Sequence, residues 1–573
     1  MLILKQQTAD LLSSAAAALW PQAPMSAGDL FALLEFPPDP AMGDLALPCF
    51  KLARTLRTAP PAIAAALCEA CRGDDRYLSV EAVGGYLNFR VNFAAVGRRV
   101  CADIALRGED YGSPHTGEGR TVVLDYSSPN VAKPFHVGHL GTTVIGHSLR
   151  LLHEFAGYKC VGINHLGDWG TQFGKLICAY RRWGSKEAVE AREIDELVAL
   201  YVRFHAEAEA DPSLEDEARA EFKKLETGDP DNLALWRWFI DISLREYQKT
   251  YRQLGITFDS YNGESFYTDK MPRQIERMRE QNLLRIDDGA SVVDLSAWNM
   301  PPCLILKRDG STLYPTRDIA AAVYRAETYD FDKCIYVTSA GQSRLFAQWF
   351  KVVELMGYPW YDRLVHVPYG TVSINGEKLS TRSGNVILLK DIFRAAIDKV
   401  REISIQKNES AEGREEIAEA VGVGAIVFYY LSNNRMRDIN LVIEDALSFD
   451  GNTGPYAQYT YARTCSILAK VADADASASF DAVAVTAEEA DLVRCLALFP
   501  ERVQAALDEY EPSHVTRYIL DLCAAFNRFY HECSILGCED ATTRRSRIAL
   551  TRCTHTVLGR ALTLICLKKT EKI

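Results

Sequence analysis

The distribution of apolar residues predicts buried strands that alternate with amphipathic helices over the middle of the chain. The segment Thr121–Ser127, TVVLDYS, has the short β-branched run of a buried parallel strand. After His139 the apolar residues follow a helical spacing, with one face formed by Leu140, Val144, Leu149 and Leu152. Further strand candidates are CIYV at 334–337 and RLVHVPYG at 363–370. These elements predict an α/β domain on a parallel sheet, where ligands bind beyond the carboxyl ends of the strands.

The flanking regions have different patterns. Residues 1–112 combine Ala-rich helical stretches with the strand GYLNFRV and end in the turn-rich YGSPHTGEG. Near the other end a single helical face, interpreted as core rather than as a base-stacking platform, is formed by Val515, Ile519, Leu522, Phe526 and Phe529. We therefore predict four parts: an N-terminal domain at 1–112, a Rossmann-like domain at 113–390 with a helical insertion at about 180–300, a connecting stem at 391–450 and a helical domain at 451–573.

Composition excludes some classes of protein. With 573 residues the chain is too long for one compact core, and 48% apolar with 24% charged residues is ordinary globular usage. No apolar stretch is long enough to span a bilayer, so no membrane role is expected. The N-terminal LLSSAAAALWPQA resembles a signal peptide in part, but its alanine run and the preceding Asp10 favour an amphipathic first helix.

The fifteen cysteines show no repeating framework, which is typical of reduced thiols in a cytoplasmic protein. Cys68 and Cys71 form a single CxxC in a helical context without a second pair at zinc-like spacing. We interpret them as buried thiols, and we expect neither zinc nor a tightly bound cofactor.

The net charge of −12 is unevenly distributed. The range 185–231 has 15 acidic and 6 basic residues, as expected of a solvated helical insertion. From residue 541 onward, 8 basic residues stand against one acidic residue, among them Arg544, Arg545, Arg547 and Arg552. This end is either a phosphate-contacting surface or a solvated basic helix, and charge alone does not decide between them.

Between the first predicted strand and its helix lies His136-Val137-Gly138-His139. The two imidazoles can face a polyphosphate, where they stabilise charge that develops during attack at phosphorus. Gly138 would allow an adenine ring to lie against the backbone, and the helix N-terminus supplies free N–H groups. A bare HxGH string is weak evidence, and the surrounding residues decide its meaning.

The residues around it resemble the arginyl-tRNA synthetase family of class I aminoacyl-tRNA synthetases. The resemblance is carried by SSPNVAKPFHVGHLGTT (127–143), HLGDWGTQFGK (165–175), GGYLNFRVN (84–92), GESFY (263–267), LYPTRDIA (313–320), GQSRLFAQ (341–348), EKLSTRSGN (377–385) and the range 435–463. It implies a multidomain α/β protein with a class I Rossmann-like parallel-sheet catalytic domain, a small α+β N-terminal domain that touches the corner of tRNA, and an all-helical C-terminal anticodon-binding domain.

The loop at 377–385 resembles the KMSKS loop of class I synthetases but departs from it at Thr381, where a second lysine is usual. By resemblance, Lys133 just before the HxGH motif replaces that cation, with Arg382 as the second candidate. The resemblance implies catalytic roles for Lys133, His136, His139 and Lys378. It implies ATP contacts for His136, Gly138, His139, Lys378, Ser380 and Arg382.

A guanidinium is a planar fork that a carboxylate meets with two hydrogen bonds, so an arginine pocket should contain an acid. Asp318 lies in the first turn of a predicted helix, where simple helix-dipole stabilisation is the alternative role. By resemblance, the arginine side chain is bound by Tyr314, Asp318 and Gln342, and the rest of the substrate by Ser128, Asn130 and His139. The tRNA contacts implied by GNTGPYAQYTYAR are Tyr456, Gln458, Tyr459 and Arg463.

We therefore expect an arginine–tRNA ligase that uses Mg²⁺-ATP, L-arginine and arginine tRNA, forms arginyl-adenylate and acts as a monomer. Gly141, where the family commonly has arginine, and the terminal ICLKKTEKI depart from the family pattern. Two other hypotheses are a small HxGH nucleotidyltransferase, which would not need the long helical end, and a catalytically silent tRNA-binding relative, which would more naturally have lost pocket residues.

Overall fold

The computed structural model describes residues 2–37, 39, 42–374, 376–378, 387–406, 413–449 and 451–573. Its helices are α1 Leu2–Leu19, α2 Ala27–Leu33, α3 Ala53–Leu56, α4 Pro60–Cys71, α5 Phe93–Arg107, α6 Leu140–Phe155, α7 Thr171–Trp183, α8 Lys186–Arg192, α9 Ile194–Ala210, α10 Ser213–Glu226, α11 Pro230–Leu254, α12 Met271–Glu280, α13 Tyr314–Tyr329, α14 Ser343–Leu355, α15 Leu389–Gln406, α16 Arg414–Leu431, α17 Ile443–Ala446, α18 Gly454–Leu468, α19 Ala487–Asp508, α20 Ser513–Glu532 and α21 Ala541–Leu564. Its strands are β1 Leu45–Pro48, β2 Tyr77–Val83, β3 Tyr86–Val91, β4 Thr121–Asp125, β5 Lys159–Ile163, β6 Leu284–Asp287, β7 Ala290–Val293, β8 Cys303–Leu306, β9 Lys333–Ser339, β10 Leu364–Tyr369, β11 Val372–Ile374, β12 Glu377–Lys378 and β13 Ile439–Leu441.

A four-stranded parallel sheet in the order β10-β9-β4-β5 forms the centre of the chain and confirms the predicted parallel-sheet fold. Both faces of β4 are covered, and the side chains of Val122, Val123 and Leu124 have no exposed surface. Such burial on both faces explains why this strand is a continuous apolar run rather than an alternating one. The carboxyl ends of β4, β5, β9 and β10 therefore meet at one edge of the sheet.

The insertion between β5 and β9 is not helical throughout, so the prediction for 180–300 was wrong in part. Helices α7 to α12 are followed by an antiparallel sheet in the order β6-β7-β8. Asp287 pairs with Ala290 across a two-residue loop, and both loop residues, Asp288 and Gly289, have positive φ. Asp-Gly is the residue pair that such a hairpin turn favours, so the sequence contained the signal that the helical interpretation overlooked.

The N-terminal residues form helices α1 to α5 and an antiparallel sheet in the order β1-β3-β2. Helix α5 joins this part to the C-terminal helices. Arg98 donates to the Ala482 carbonyl oxygen at 2.8 Å, and the rings of Tyr111 and Phe499 stack at 6.3 Å. Both ends of the chain therefore pack against each other.

The C-terminal part consists of helices α18 to α21, and the predicted apolar face of α20 is buried, which confirms its assignment to the core. Of the basic residues near the end, Arg544 pairs with Asp475 and Arg547 with Glu489, each at 2.8–2.9 Å. Arg545 is exposed. These ion pairs favour a structural role for two of the arginines that composition suggested as phosphate contacts. Among the described residues no helix is long and apolar enough to cross a bilayer.

Candidate active site

The turn after β4 has a strained backbone. Ser127 and Ser128 both have positive φ, at 70° and 45°, which is uncommon for residues other than glycine. The Ser127 N–H donates to Thr142 Oγ1 at 3.0 Å, and its hydroxyl lies 2.7 Å from the Tyr251 hydroxyl. These buried contacts hold the turn against its strain, a combination that is found at ligand sites.

The two histidines of the HxGH motif face each other. Their ring centroids are 4.0 Å apart, the Gly138 N–H donates to His136 Nδ1 at 3.1 Å, and the His136 N–H approaches His139 Nδ1 at 3.3 Å. A Cβ at Gly138 would lie 2.8 Å from the His136 ring. The glycine is therefore needed for the position of the His136 imidazole.

Burial, followed by the neighbouring Lys133 charge, lowers the pKa of His136. Burial, followed by the proximity of His136, lowers the pKa of His139 to about 3. His139 is consequently neutral at pH 7 and can act as an N–H donor rather than as a cation. Lys133 is partly buried next to the motif, and its charge acts on the His136 ring.

The chain segment that returns from the KMSKS-like loop is hydrogen-bonded to the HxGH turn. The Val137 N–H donates to the Ile387 carbonyl at 3.1 Å, and the Leu389 N–H donates to the Phe135 carbonyl at 3.0 Å. Lys378 belongs to β12, which pairs with β11. Ser380, Thr381 and Arg382 lie outside the described residues. The residues that follow the KMSKS-like segment in the chain thus lie against the HxGH turn.

Asp318 lies on α13, which begins at Tyr314, so Asp318 is in the second turn rather than the first. Tyr314 is four residues earlier on the same face and its side chain is exposed. Gln342, also exposed, follows β9, whose carboxyl end lies beside that of β4. Burial, followed by the charge of Asp125, raises the pKa of Asp318 to about 7. This position in the second turn weakens the helix-dipole alternative, because that effect falls off within the first turn.

Two acid–arginine pairs that the sequence analysis missed surround Asp318. Asp125 Oδ2 lies 2.7 Å from Arg325 Nη2, and Glu264 Oε1 lies 2.9 Å from Arg317 Nη1. Within the described part of the chain, Asp318 has no hydrogen bond or ion pair to another side chain. The position of Asp125 at the end of β4 indicated in the sequence that this acid lies at the ligand-binding edge of the sheet. Its pairing with the distant Arg325 could not be read from the sequence.

Ser128 and Asn130 lie on the other side of this edge. The Ser128 hydroxyl donates to Asp125 Oδ1 at 2.9 Å and accepts from the His165 N–H at 3.2 Å. Asn130 is exposed and its backbone forms a bridge with Gly167. The turn and α13 therefore bring Ser128, Asn130, Tyr314 and Asp318 to the same edge of the sheet.

The predicted tRNA contacts lie on α18, away from this edge, and one of them needs correction. Gln458 is fully buried, and its amide donates to the Ala420 and Lys568 carbonyls at 3.1 and 3.0 Å, so it is not accessible to RNA. Tyr459 is exposed, and Arg463 lies 5.0 Å from its ring and 4.9 Å from that of Tyr530. Tyr456 is half-buried, with its hydroxyl accepting from Asn527.

Comparison with known proteins gives consistent results along the chain. Residues 102–442 match the family described as tRNA synthetases class I (R), catalytic domain. Residues 457–573 match the DALR anticodon binding domain, and residues 4–91 match the arginyl tRNA synthetase N terminal domain.

Individual arginine–tRNA ligases are similar to this chain over nearly its full length. The chain is 48% identical to an arginine–tRNA ligase of Alkaliphilus metalliredigens over 95% of this chain and 96% of that protein, and 49% identical to one of Clostridioides difficile over 96% and 97%. Its fold is similar to that of Thermus thermophilus arginyl-tRNA synthetase, with a TM-score of 0.80, 24% identity and full coverage of both chains. Together with the HxGH turn at the sheet edge, these matches show that the chain belongs to the arginyl-tRNA synthetase family of ATP-using class I aminoacyl-tRNA synthetases.

Proposed function

We propose that this chain joins L-arginine to the 3′-terminal adenosine of arginine tRNA, with consumption of ATP and release of AMP and pyrophosphate. The observation that carries the proposal for this chain's own residues is the state of Asp318. It is a partly buried carboxylate beside two acids, Asp125 and Glu264, that are each paired with an arginine of the protein. Among the described residues Asp318 has no such partner, so the guanidinium of the substrate would provide it.

Arginine fits this pocket better than lysine does. A guanidinium presents two parallel N–H groups to one carboxylate, whereas an ammonium offers a single point charge. Tyr314, four residues before Asp318, would lie beside the guanidinium plane. Gln342 would form a hydrogen bond with the substrate at the rim of the pocket. Ser128 and Asn130 would bind the amino and carboxylate end of the amino acid.

In the first step, the arginine carboxylate attacks the α-phosphate of ATP, the bond to the β-phosphate breaks, and pyrophosphate leaves. His136 and His139 would donate hydrogen bonds to the phosphate oxygens, because their neutral rings keep an N–H without carrying charge. Lys133 would supply the positive charge, together with Lys378, and Ser380 and Arg382 would contact the β and γ phosphates. Stabilisation of developing phosphate charge is a dominant catalytic term in such reactions.

ATP would enter with Mg²⁺. The phosphates and water would hold the ion, as Mg²⁺ commonly prefers. The ion would neutralise phosphate charge. In the second step, the 2′-hydroxyl of the terminal adenosine attacks the carbonyl carbon of arginyl-adenylate, and AMP leaves with the bonding electron pair.

On the tRNA side, Tyr459 and Arg463 would contact anticodon nucleotides, with Tyr456 behind them. Exposed aromatic rings beside an arginine suit stacking on unpaired bases. We further propose that the N-terminal domain contacts the corner of tRNA and that bound tRNA is required before the adenylate forms. Because all of these groups belong to one chain, a monomer would suffice. The fifteen free cysteines are consistent with the reducing cytoplasm.

The test is ATP–pyrophosphate exchange by the purified protein, with arginine or lysine and with or without arginine tRNA. Exchange that needs both arginine and tRNA is the expected result. Exchange with arginine alone would refute tRNA dependence but keep the ligase assignment. Binding of arginine tRNA without any exchange would support the catalytically silent relative instead.

A further inference from the structure

Helix α11 of the insertion has a buried face that carries three hydroxyl groups. Ser243, Tyr247 and Tyr251 follow one another at intervals of four residues, so their side chains project from the same face of the helix, and none is more than 2% exposed. A buried hydroxyl is costly unless it has a hydrogen-bond partner. Each of these three has a partner in the chain segment 127–133, which leads from β4 to the HxGH motif.

The backbone just before Lys133 is strained. Ala132 has a φ of 60°, in the left-handed region that residues other than glycine rarely adopt. Lys133 precedes Pro134, which disfavours the helical region for Lys133, so the turn falls on Ala132. A backbone strained in this way persists only where the surrounding structure holds it.

Two hydroxyls of α11 hold this turn. The Ala132 N–H donates to Ser243 Oγ at 3.0 Å. The Tyr247 hydroxyl lies 2.7 Å from the carbonyl oxygens of both Asn130 and Lys133. Since a phenol has one hydrogen, Tyr247 shares it between these two carbonyls. The backbone on both sides of the strained residue is therefore fixed to one helix.

The ring of Tyr247 supports the HxGH motif separately from its hydroxyl. It packs on Phe135 with 5.4 Å between the ring centroids, and Phe135 stacks on His139 at 5.1 Å. The ring therefore lies behind His139, whereas the hydroxyl holds the backbone of Lys133. A Tyr247→Phe substitution removes the second contact and keeps the first.

The Lys133 side chain depends on its backbone for its position. Among the residues that the structure describes, its ammonium forms no hydrogen bond or ion pair. Its charge nevertheless acts on the rings of His136 and His139. Because an ammonium on a flexible four-carbon stem can reach many positions, a fixed Cα restricts it to the neighbourhood of these rings.

We propose that Tyr247 is a positioning residue that holds the backbone of Lys133, and with it the ammonium, in place for adenylate formation. This inference rests on the proposed function, in which Lys133 supplies positive charge to the phosphates. It gives helix α11 of the insertion a role in the chemistry at the HxGH motif. Without the hydroxyl, two buried carbonyls lose their shared donor and the strained turn relaxes, so Lys133 occupies its productive position less often.

The experiment is a double-variant cycle of Tyr247→Phe and Lys133→Ala. The kcat, arginine KM and ATP KM are measured by pyrophosphate exchange in the presence of arginine tRNA, and thermal melting reports the stability of each variant. The matched control is Tyr111→Phe. It removes another buried tyrosine hydroxyl that donates to a backbone carbonyl, that of Leu496 at 3.1 Å, where the two ends of the chain meet.

Tyr247→Phe is expected to lower kcat about tenfold to a hundredfold, since a small displacement of a catalytic group costs this much. In the Lys133→Ala background the same substitution should change kcat by less than about threefold, because the group that it positions is already absent. A merely structural role would instead reduce kcat by the same factor in both backgrounds. Tyr111→Phe should lower Tm and leave kcat unchanged.

If Tyr247→Phe fails to fold, Ser243→Ala, which removes the acceptor of the Ala132 N–H, takes its place in the cycle with the same expected result. A wild-type kcat in Tyr247→Phe, a loss confined to arginine KM, or an equal loss of kcat in both backgrounds would overturn the role of Tyr247.

Two other outcomes are separate from these. Failure of the wild-type protein to exchange pyrophosphate with arginine would overturn the proposed function. Full activity in Lys133→Ala would overturn the catalytic role of Lys133, and this inference with it, while the ligase assignment would stand. The failures are therefore distinguishable.

Discussion

Gly167 leaves the space that the side chain of Asn130 occupies: a Cβ at Gly167 would fall 2.1 Å from Asn130 Oδ1. The two residues also form a backbone bridge between the turn after β4 and the turn after β5. Gly167 therefore fixes the position of Asn130, the proposed contact to the amino-acid end of the substrate.

Gly167→Ala should displace Asn130 and weaken arginine binding. We expect arginine KM to rise roughly tenfold to a hundredfold, the loss expected when one hydrogen bond to a charged group is removed. The measurement is arginine KM in pyrophosphate exchange. Gly28→Ala, whose new Cβ would meet only Ser26 Oγ at 3.7 Å, is the matched control. An unchanged arginine KM in Gly167→Ala would contradict the proposed role of Asn130 in arginine binding.

Arginine binding should depend on pH through Asp318. Because burial and Asp125 raise the pKa of this carboxyl to about 7, the empty pocket is protonated at acidic pH, and binding of a guanidinium requires loss of that proton. Arginine Kd should be constant above about pH 8 and rise by up to about tenfold per pH unit below 7. Calorimetry in two buffers of different ionisation enthalpy should detect proton release. Absence of release at pH 6 would contradict this assignment.

The same carboxyl should make the empty protein less stable as pH rises. Its folded pKa lies above the unfolded value of 3.8, so unfolding releases a proton between about pH 4 and 7, and the stability linked to this group falls across that window. Asp318→Asn should therefore stabilise the protein relative to wild type more at pH 8 than at pH 5. Glu264, whose pKa burial raises to about 7, is present in both proteins. Equal differences in Tm at both pH values would be evidence against a buried, protonated Asp318.

Lys133 should matter for chemistry more than for arginine affinity. Lys133→Ala removes the positive charge beside His136, and we expect kcat for exchange to fall by about 10²–10³ with arginine KM changed less than about threefold. Lys133→Arg, which keeps the charge, should lose less. Full activity in Lys133→Ala would contradict the proposal that this lysine replaces the cation missing at Thr381.

The α18 residues offer a matched pair of variants. Tyr459→Ala removes an exposed ring beside Arg463 and should raise the KM for tRNA by a stacking loss of about 1–3 kcal/mol, with Tm unchanged. Gln458→Ala removes a buried amide that binds two carbonyls and should lower Tm through those lost contacts. If instead Tyr459→Ala lowered Tm and Gln458→Ala raised the KM for tRNA, the RNA surface would lie elsewhere on the helix.

The pattern of apolar and polar residues was sufficient to predict the parallel sheet, the helix after His139 and the HxGH turn, because short apolar runs and helical spacing directly indicate burial. The same pattern did not predict that Gln458 is buried, because a polar residue in an alternating aromatic segment gives no indication of which side chains face RNA. It also missed the pairing of Asp125 with Arg325, since contacts across 200 positions depend on how the sheet is assembled.

Gly141 illustrates a departure from the family pattern that the structure explains. A Cβ there would lie 2.2 Å from the Tyr430 hydroxyl, so Tyr430 occupies the space that a side chain at residue 141 would need. The family's common arginine is therefore incompatible with this packing of α6 against α16.

The most direct test of the central claim is the formation of arginyl-tRNA from ATP, labelled arginine and arginine tRNA by the purified protein, compared with its Asp318→Asn variant. We predict that the wild type charges the tRNA with arginine but not with lysine. We also predict that Asp318→Asn, which keeps the shape but loses the charge, reduces kcat/KM for arginine by at least about a hundredfold. Equal charging by both proteins, or no charging by the wild type despite tRNA binding, would contradict the proposed role of this pocket.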